Sequence, residues 1–312
     1  MKKRSALLSV VVLIALALSL GRARAQETLR TFTISPATIP VNLNPGERTE
    51  GKLKISNDGD TPLTFNTSVR DFVVKDNIGT PEILPADSLS NKYSASSWIE
   101  INPSQIVIAP HSKTEFSYFV QVPADARPGG HYAAAVYTPI TVVGSTTGNG
   151  ASVNTSVGSL FYVTVKGPIT EKAAVNYFKT KFLWEFSPVT VQSQIANYSD
   201  VHIRPTGTVT LTNMIGKTSQ KVDFTQANIF PGVSRNYETK LGKGFMLGLY
   251  KATLNATYGS NNSSIVATTS FIVFPWKIAL FLILLVAAFG GGYWYWKRDK
   301  EMNQEVPQHP QA

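Results

Sequence analysis

The sequence predicts an all-β protein of two tandem immunoglobulin-like β-sandwiches followed by a single transmembrane α-helix. Three observations carry this. Apolar and polar residues alternate with period two through much of the chain, as in strands with one buried face. Turn signals built on Gly, Pro, Asn and Asp interrupt that alternation at short intervals. Near the end of the chain, Ile278 to Trp296 is a run of 19 residues without a charge.

The first element in chain order is an export signal. "MKKRSALLSVVVLIALALSLGRARA" has a basic start, an apolar stretch from Ala6 to Leu20, and Ala23-Arg24-Ala25 as a small-x-small site. These features predict a signal peptide over residues 1–25, cleaved between Ala25 and Gln26.

The first sandwich is expected over residues 26–167. In "TEFSYFVQVP" the residues Phe116, Tyr118, Val120 and Val122 share one face. Pro45-Gly46, Asn57-Asp58-Gly59-Asp60 and Pro128-Gly129-Gly130 mark its turns. The second sandwich is expected over residues 168–274, where "LYKATLNATYG" puts Tyr250, Ala252, Leu254, Ala256 and Tyr258 on one face. The two halves echo each other in order. Ile55-x-Asn57-x-x-Asp60 matches Ile195-x-Asn197-x-x-Asp200, "IAPHSKTEF" matches "IFPGVSRNY", and both then reach Gly-x-Tyr-x-Ala, at Gly130 and Gly248. A tandem pair is the economical explanation.

One spacing differs between the halves. Asn57 to Pro110 is 53 residues, whereas Asn197 to Pro231 is 34, so the first half carries an insertion around Lys75 to Ser97. Long irregular connections on rigid scaffolds often carry binding, and the alternative is an insertion packed loosely on the surface. Asp87, Lys92, Tyr93 and Trp98, in or just after this stretch, are the candidate ligand-binding residues. Trp98 and Trp184 each offer either a stacking platform for a sugar ring or an ordinary core ring. A second polar stretch, Gly144 to Ser152, is expected to be a hairpin tip.

The apolar run defines a transmembrane helix over 275–296. At 1.5 Å per residue it crosses a hydrocarbon core of roughly 30 Å. Trp276 stands before it and Tyr293 to Trp296 close it, where amphipathic rings favour the headgroup layer. Lys297, Arg298 and Lys300 follow, so the positive-inside bias places the 297–312 tail in the cytoplasm and the body outside a cell membrane crossed once.

The formal net charge is +9, yet much of it sits in the signal and around the helix, which leaves the body between them at +3. No Lys/Arg stripe with interleaved aromatics is present, which argues against nucleic acid. The chain has no cysteine, so its cores must hold without disulfides. The four histidines are scattered, and Asn57 to Asp60 lacks the distal Glu of an EF-hand loop, so no metal or other cofactor is expected. No nucleophile elbow, phosphate loop or carboxylate pair is found, and the chain is read as not an enzyme.

"TISPATIPVNLNPGERTEGKLKISNDGDTPLTFNTSVRDF" with "VIAPHSKTEFSYFVQVPADARPGGHYAAAVY" resembles the first domain of the WxL-interacting cell-surface proteins of Gram-positive bacteria. "ANYSDVHIRPTGTVTLTNMIGK" and "FMLGLYKATLNATYG" resemble their second domain. That resemblance implies peptidoglycan binding by the first domain, and contact with WxL-type or other surface proteins by the second. The leading expectation is therefore a membrane-anchored adhesion or scaffolding protein that contacts the cell wall. The alternative is a tethered, chaperone-like assembly factor for exported surface or pilus subunits, which works by lending a strand edge.

Overall fold

The computed structural model describes residues 32–88, 90–140 and 157–304. The expected cleavage site Ala25/Gln26 and the Gly144 to Ser152 stretch lie outside the described residues. The N-terminal part contains β1 (Phe32–Ser35), β2 (Thr38–Leu43), β3 (Arg48–Asn57), β4 (Leu63–Val74) and β5 (Pro81–Ile83). After a 3-10 turn at Ser96–Trp98 come β6 (Ile99–Asn102), β7 (Gln105–Ile108), β8 (Lys113–Gln121), β9 (Gly129–Pro139) and β10 (Val157–Val165). One sheet runs β1-β3-β8-β6, and a second runs β2-β10-β9-β4-β5 with β7 also on β4. Between them lies a core that includes Leu53, Ile55, Phe65, Ile108, Tyr137 and Phe161, all fully buried.

The C-terminal part begins with β11 (Ala173–Lys179), β12 (Leu183–Trp184), β13 (Val189–Asn197) and β14 (Thr206–Asn213). It continues with β15 (Thr218–Asp223), β16 (Ser234–Leu241), β17 (Gly248–Tyr258) and β18 (Ser263–Val273). These form a three-stranded sheet, β11-β13-β16, and a five-stranded one, β12-β18-β17-β14-β15. Their core includes Ile195, Leu211, Ile229, Leu254 and Phe271. The expected faces are observed: Phe116, Tyr118, Val120 and Val122 belong to the first core, and the even-numbered face of β17 from Tyr250 to Tyr258 to the second.

The repeated Ile-x-Asn has a structural cause. Asn57 is fully buried, and its Nδ2 donates to the carbonyls of Thr61 at 2.7 Å, Ala109 at 3.2 Å and Ile108 at 3.3 Å. Its Oδ1 accepts the Gly59 N–H at 3.0 Å. Asn197 repeats this, donating to Val201 and Ile229 carbonyls at 2.9 and 2.8 Å and accepting the Ser199 N–H at 2.8 Å. Each Asn amide thus holds its own turn and a second loop about one strand pair away, satisfying carbonyls that the core would otherwise strand without partners. The backbone follows suit. His111, two residues after the accepting Ala109, and Gly232, three after the accepting Ile229, adopt left-handed φ of 50° and 74°.

The insertion is not packed loosely. The Asp71 carboxylate accepts the N–H groups of Ala95 and Ser96, both at 2.8 Å. Asp76 turns the chain into β5 by accepting from Ile78, Gly79 and Thr80, and hydrogen bonding led by the Thr80 side chain holds its carboxyl below the ordinary range. Ser94 bridges to Tyr132 of β9, and the Tyr132 N–H donates to the Tyr93 carbonyl at 2.7 Å.

α1 (Trp276–Gln304) leaves β18 after two residues. Over Trp276–Lys300 its mean hydropathy is 1.9 and none of its apolar window is buried, so it is long and apolar enough to cross a membrane.

Candidate functional site: a cleft at the seam

β9 is buried on both faces. Ala133, Ala135 and Tyr137 point into the N-terminal core, whereas Tyr132, Ala134 and Val136 point the other way, onto a third cluster with Phe72, Val74, Tyr162 and Phe230. Phe230 comes from the loop before β16, so this cluster joins the N-terminal sheets to the C-terminal ones. Its rings meet edge to face: Phe230 lies 4.9 Å from Tyr132 and 5.4 Å from Tyr162, at 76° and 88°.

Polar contacts complete the seam. The Tyr132 hydroxyl accepts the His202 backbone N–H at 2.8 Å and lies 3.2 Å from His202 Nδ1. Burial pushes the His202 pKa down to about 4, so its imidazole is neutral near pH 7 and an unprotonated Nδ1 can accept the phenol proton. Burial likewise pushes the Tyr132 phenol far above its ordinary value. Arg127 pairs with Asp200 at 3.4 Å, and the Gly130 N–H donates to the Asp200 carbonyl at 2.9 Å.

Beside this cluster opens a cleft of about 570 Å³. Phe72, Val74, Tyr132 and Phe230 form its apolar floor, Tyr93 and Lys75 flank it on the N-terminal side, and Val233 and Ser234 close it on the other. Lys75 on the cleft lining pairs with Glu82 at 3.0 Å, and behind Tyr93 the Lys92 Nζ and the Arg127 guanidinium sit 4.7 and 5.4 Å from its ring centre.

Ser234, on the cleft wall, is also the first residue of β16. This strand pairs with β13 on one side only, and is the end of its sheet. The Asn236 N–H points away from β13 and donates to the Asn77 carbonyl at 2.7 Å. Backbone groups alternate along an antiparallel strand, so Glu238 and Lys240 present theirs on the same open side. An apolar cleft therefore runs into an open strand edge, already paired at its first rung by the β4–β5 loop.

Of the sequence candidates, Tyr93 lines the cleft and Lys92 covers its ring. Asp87 is exposed in a turn and does not line it. Trp98 packs on the N-terminal core, 4.4 Å from the His131 ring, so its indole is half-buried structure and not an open platform. Trp184 donates from Nε1 to Thr180 Oγ1 at 3.0 Å. Sequence reasoning missed Phe72, Tyr132, Phe230 and the β16 edge. The signal was present in "GHYAAAVY", whose unbroken apolar run means burial on both faces. Among the described residues no three His, Asp or Glu side chains gather as a metal site.

No protein-family model and no curated protein matches the chain. Among solved structures it is similar to the class 5 fimbriae chaperone CfaA, at 11% identity over 76% of this chain and 98% of that one, with a TM-score of 0.40. It is similar also to the Pseudomonas aeruginosa CupB2 chaperone (9% identity, 77% and 100% covered, TM-score 0.35). A structure of the Salmonella enterica SafA pilin in complex with the SafB chaperone matches at 10% identity, 78% and 96% coverage and a TM-score of 0.35. These neighbours belong to a different family from the WxL-interacting proteins, and that expected membership is corrected. With it go peptidoglycan, WxL-type partners and adhesion as expectations. The physical reason lies in the motif. Asn57, Asn197 and the Pro-Gly turns that carried the resemblance build the corners of the sandwiches, which many unrelated sandwiches need. Similarity at these scores leaves this chain's own partner to be argued from its cleft.

Proposed function

We propose that the chain is a membrane-tethered, non-enzymatic assembly factor that holds an extended segment of an exported partner protein. The segment pairs with the open edge of β16 and seats one apolar side chain on Phe72, Tyr132 and Phe230. The observation that carries this reading is that the apolar cleft meets β16 at Ser234, and that the outward side of this strand is open beyond the Asn236 rung. Strand addition of this kind draws affinity from main-chain hydrogen bonds and specificity from pockets for alternate side chains. Under this reading the body is two tandem immunoglobulin-like domains meeting at residues 167–168, with separate cores supporting the division. Residues 1–25 direct export, α1 spans the cell membrane once, and the 297–312 tail stays in the cytoplasm.

The test is a photo-crosslinking residue at Lys240 of the full chain, in the cells that make it. A discrete exported protein, attached through a segment of alternating apolar residues, is expected. Glu238→Pro, which removes one outward N–H, abolishes the adduct. An adduct that survives Glu238→Pro, or none at all, defeats the reading.

A further inference from the structure

The C-terminal sheets have two poles, and exposed apolar side chains collect at only one of them. Strand register defines that pole: Val189 pairs with Leu241, Asn213 with Tyr250, and Gly248 and Trp184 both with Val273. The connections 180–188, 214–217 and 242–247 and the junction 274–275 therefore emerge side by side. On them Ile215 is 78% exposed, Phe245 77%, Met214 75%, Phe182 70%, Leu247 54% and Phe186 51%. Of the exposed large apolar residues between 168 and 273, only Tyr198, Val266 and Leu249, the second residue of β17, lie off these connections. Side chains this apolar on three separate turns are unusual for a surface that meets only water.

All but one of the charges on these connections are positive. Lys179, Lys181, Lys217 and Lys243 are exposed at this pole. Glu185 is the only carboxylate on these connections, and Lys277 of α1 holds it at 3.0 Å. The same pole launches α1. The Phe274 N–H donates to the Trp184 carbonyl at 2.8 Å, Ser187 donates to the Gly244 carbonyl, and the helix starts two residues after Phe274. No linker separates the apolar turns from the apolar helix.

We propose that these turns form a membrane-seating collar, in which Phe182, Phe186, Met214, Ile215, Phe245 and Leu247 enter the headgroup–acyl boundary of an anionic bilayer. The exposed lysines meet lipid phosphates. This rests on the reading of α1 as a membrane span. Apolar side chains rimmed by lysine are what an interfacial surface requires, and each lysine near an anionic surface adds to the attraction. The collar gives the body a fixed bearing on the membrane. β16 runs from Leu241 at this pole to Ser234 on the cleft wall, so at roughly 3.4 Å per residue that wall stands about 24 Å above the lipid.

The absence of native cysteine allows single-cysteine spin labels on the full chain in bilayer discs containing phosphatidylglycerol. Labels at Phe245→Cys, Met214→Cys, Leu284→Cys and Asn261→Cys are compared for collisions with oxygen and with a water-soluble nickel complex. Leu284→Cys is expected deep in lipid, Phe245→Cys and Met214→Cys at headgroup depth, and Asn261→Cys in water. With Lys181, Lys217 and Lys243 changed to Gln, the two collar labels should move toward water while Leu284→Cys stays deep. A water-exposed Leu284→Cys would remove the span and the collar with it. A deep Leu284→Cys with collar labels open to nickel overturns the collar alone, as do collar labels shielded from both reagents, the mark of a protein partner.

Discussion

Asn57 and Asn197 show how much one buried amide does in this fold. Each satisfies carbonyls from two loops and accepts one N–H, with almost no exposure to water. Truncating either to Ala strands those groups, and each lost bond leaves a desolvated partner behind. Asn57→Ala and Asn197→Ala are each expected to destabilise the chain by roughly 2–4 kcal/mol, read from denaturant midpoints at unchanged slope. A cost below about 0.5 kcal/mol would mean that water replaces the amide. This pair was legible in the sequence as a repeated Ile-x-Asn. Its meaning was not, because the same letters serve a turn in any sandwich and point to no ligand.

At the scale of the element, β16 and β9 behave in opposite ways. β16 keeps a free side, and its outward Asn236, Glu238 and Lys240 are polar, which discourages self-pairing of the edge. Proline scanning distinguishes its two sides. Glu238→Pro removes an N–H that faces away from β13 and should cost no more than about 1 kcal/mol, whereas Thr239→Pro removes a ladder donor and should cost at least about 2 kcal/mol. Equal costs would show that the edge is already covered. β9, with both faces buried, has no such tolerance. The period-two pattern identified the strands well, as in β17, but pattern alone does not say which strand ends a sheet. Edge status follows from sheet order, which is a tertiary property.

At the scale of the whole molecule, the seam depends on a neutral His202. Its pKa in the folded chain is about 4 against an ordinary 6.5. Between those values the unfolded chain binds a proton that the folded one excludes. The contribution is therefore complete above about pH 6.5 and is lost as pH falls toward 4. The full shift corresponds to at most about 3 kcal/mol. Tyr132, Tyr162 and Phe230 surround the ring and do not titrate in that window. Denaturation at pH 7 and pH 4.5 should show wild type losing more stability than His202→Asn. Equal losses would place the acid sensitivity elsewhere.

What the sequence by itself determined is local and periodic. Alternation marks strands because side chains on a pleated strand face opposite ways, turns are marked by residues that tolerate special φ, and an uncharged run of 19 residues is readable because a bilayer has a fixed thickness. The insertion, too, was legible as extra length, and it does deliver Tyr93 to the cleft. Only the tertiary structure decided the rest. The cleft combines Phe72, Tyr132 and Phe230, and the collar combines Phe182, Met214 and Phe245, residues far apart in the chain and unremarked as single hydrophobic letters. They become a surface only when strand register brings their turns to one place, and register is set by pairing across the whole sheet.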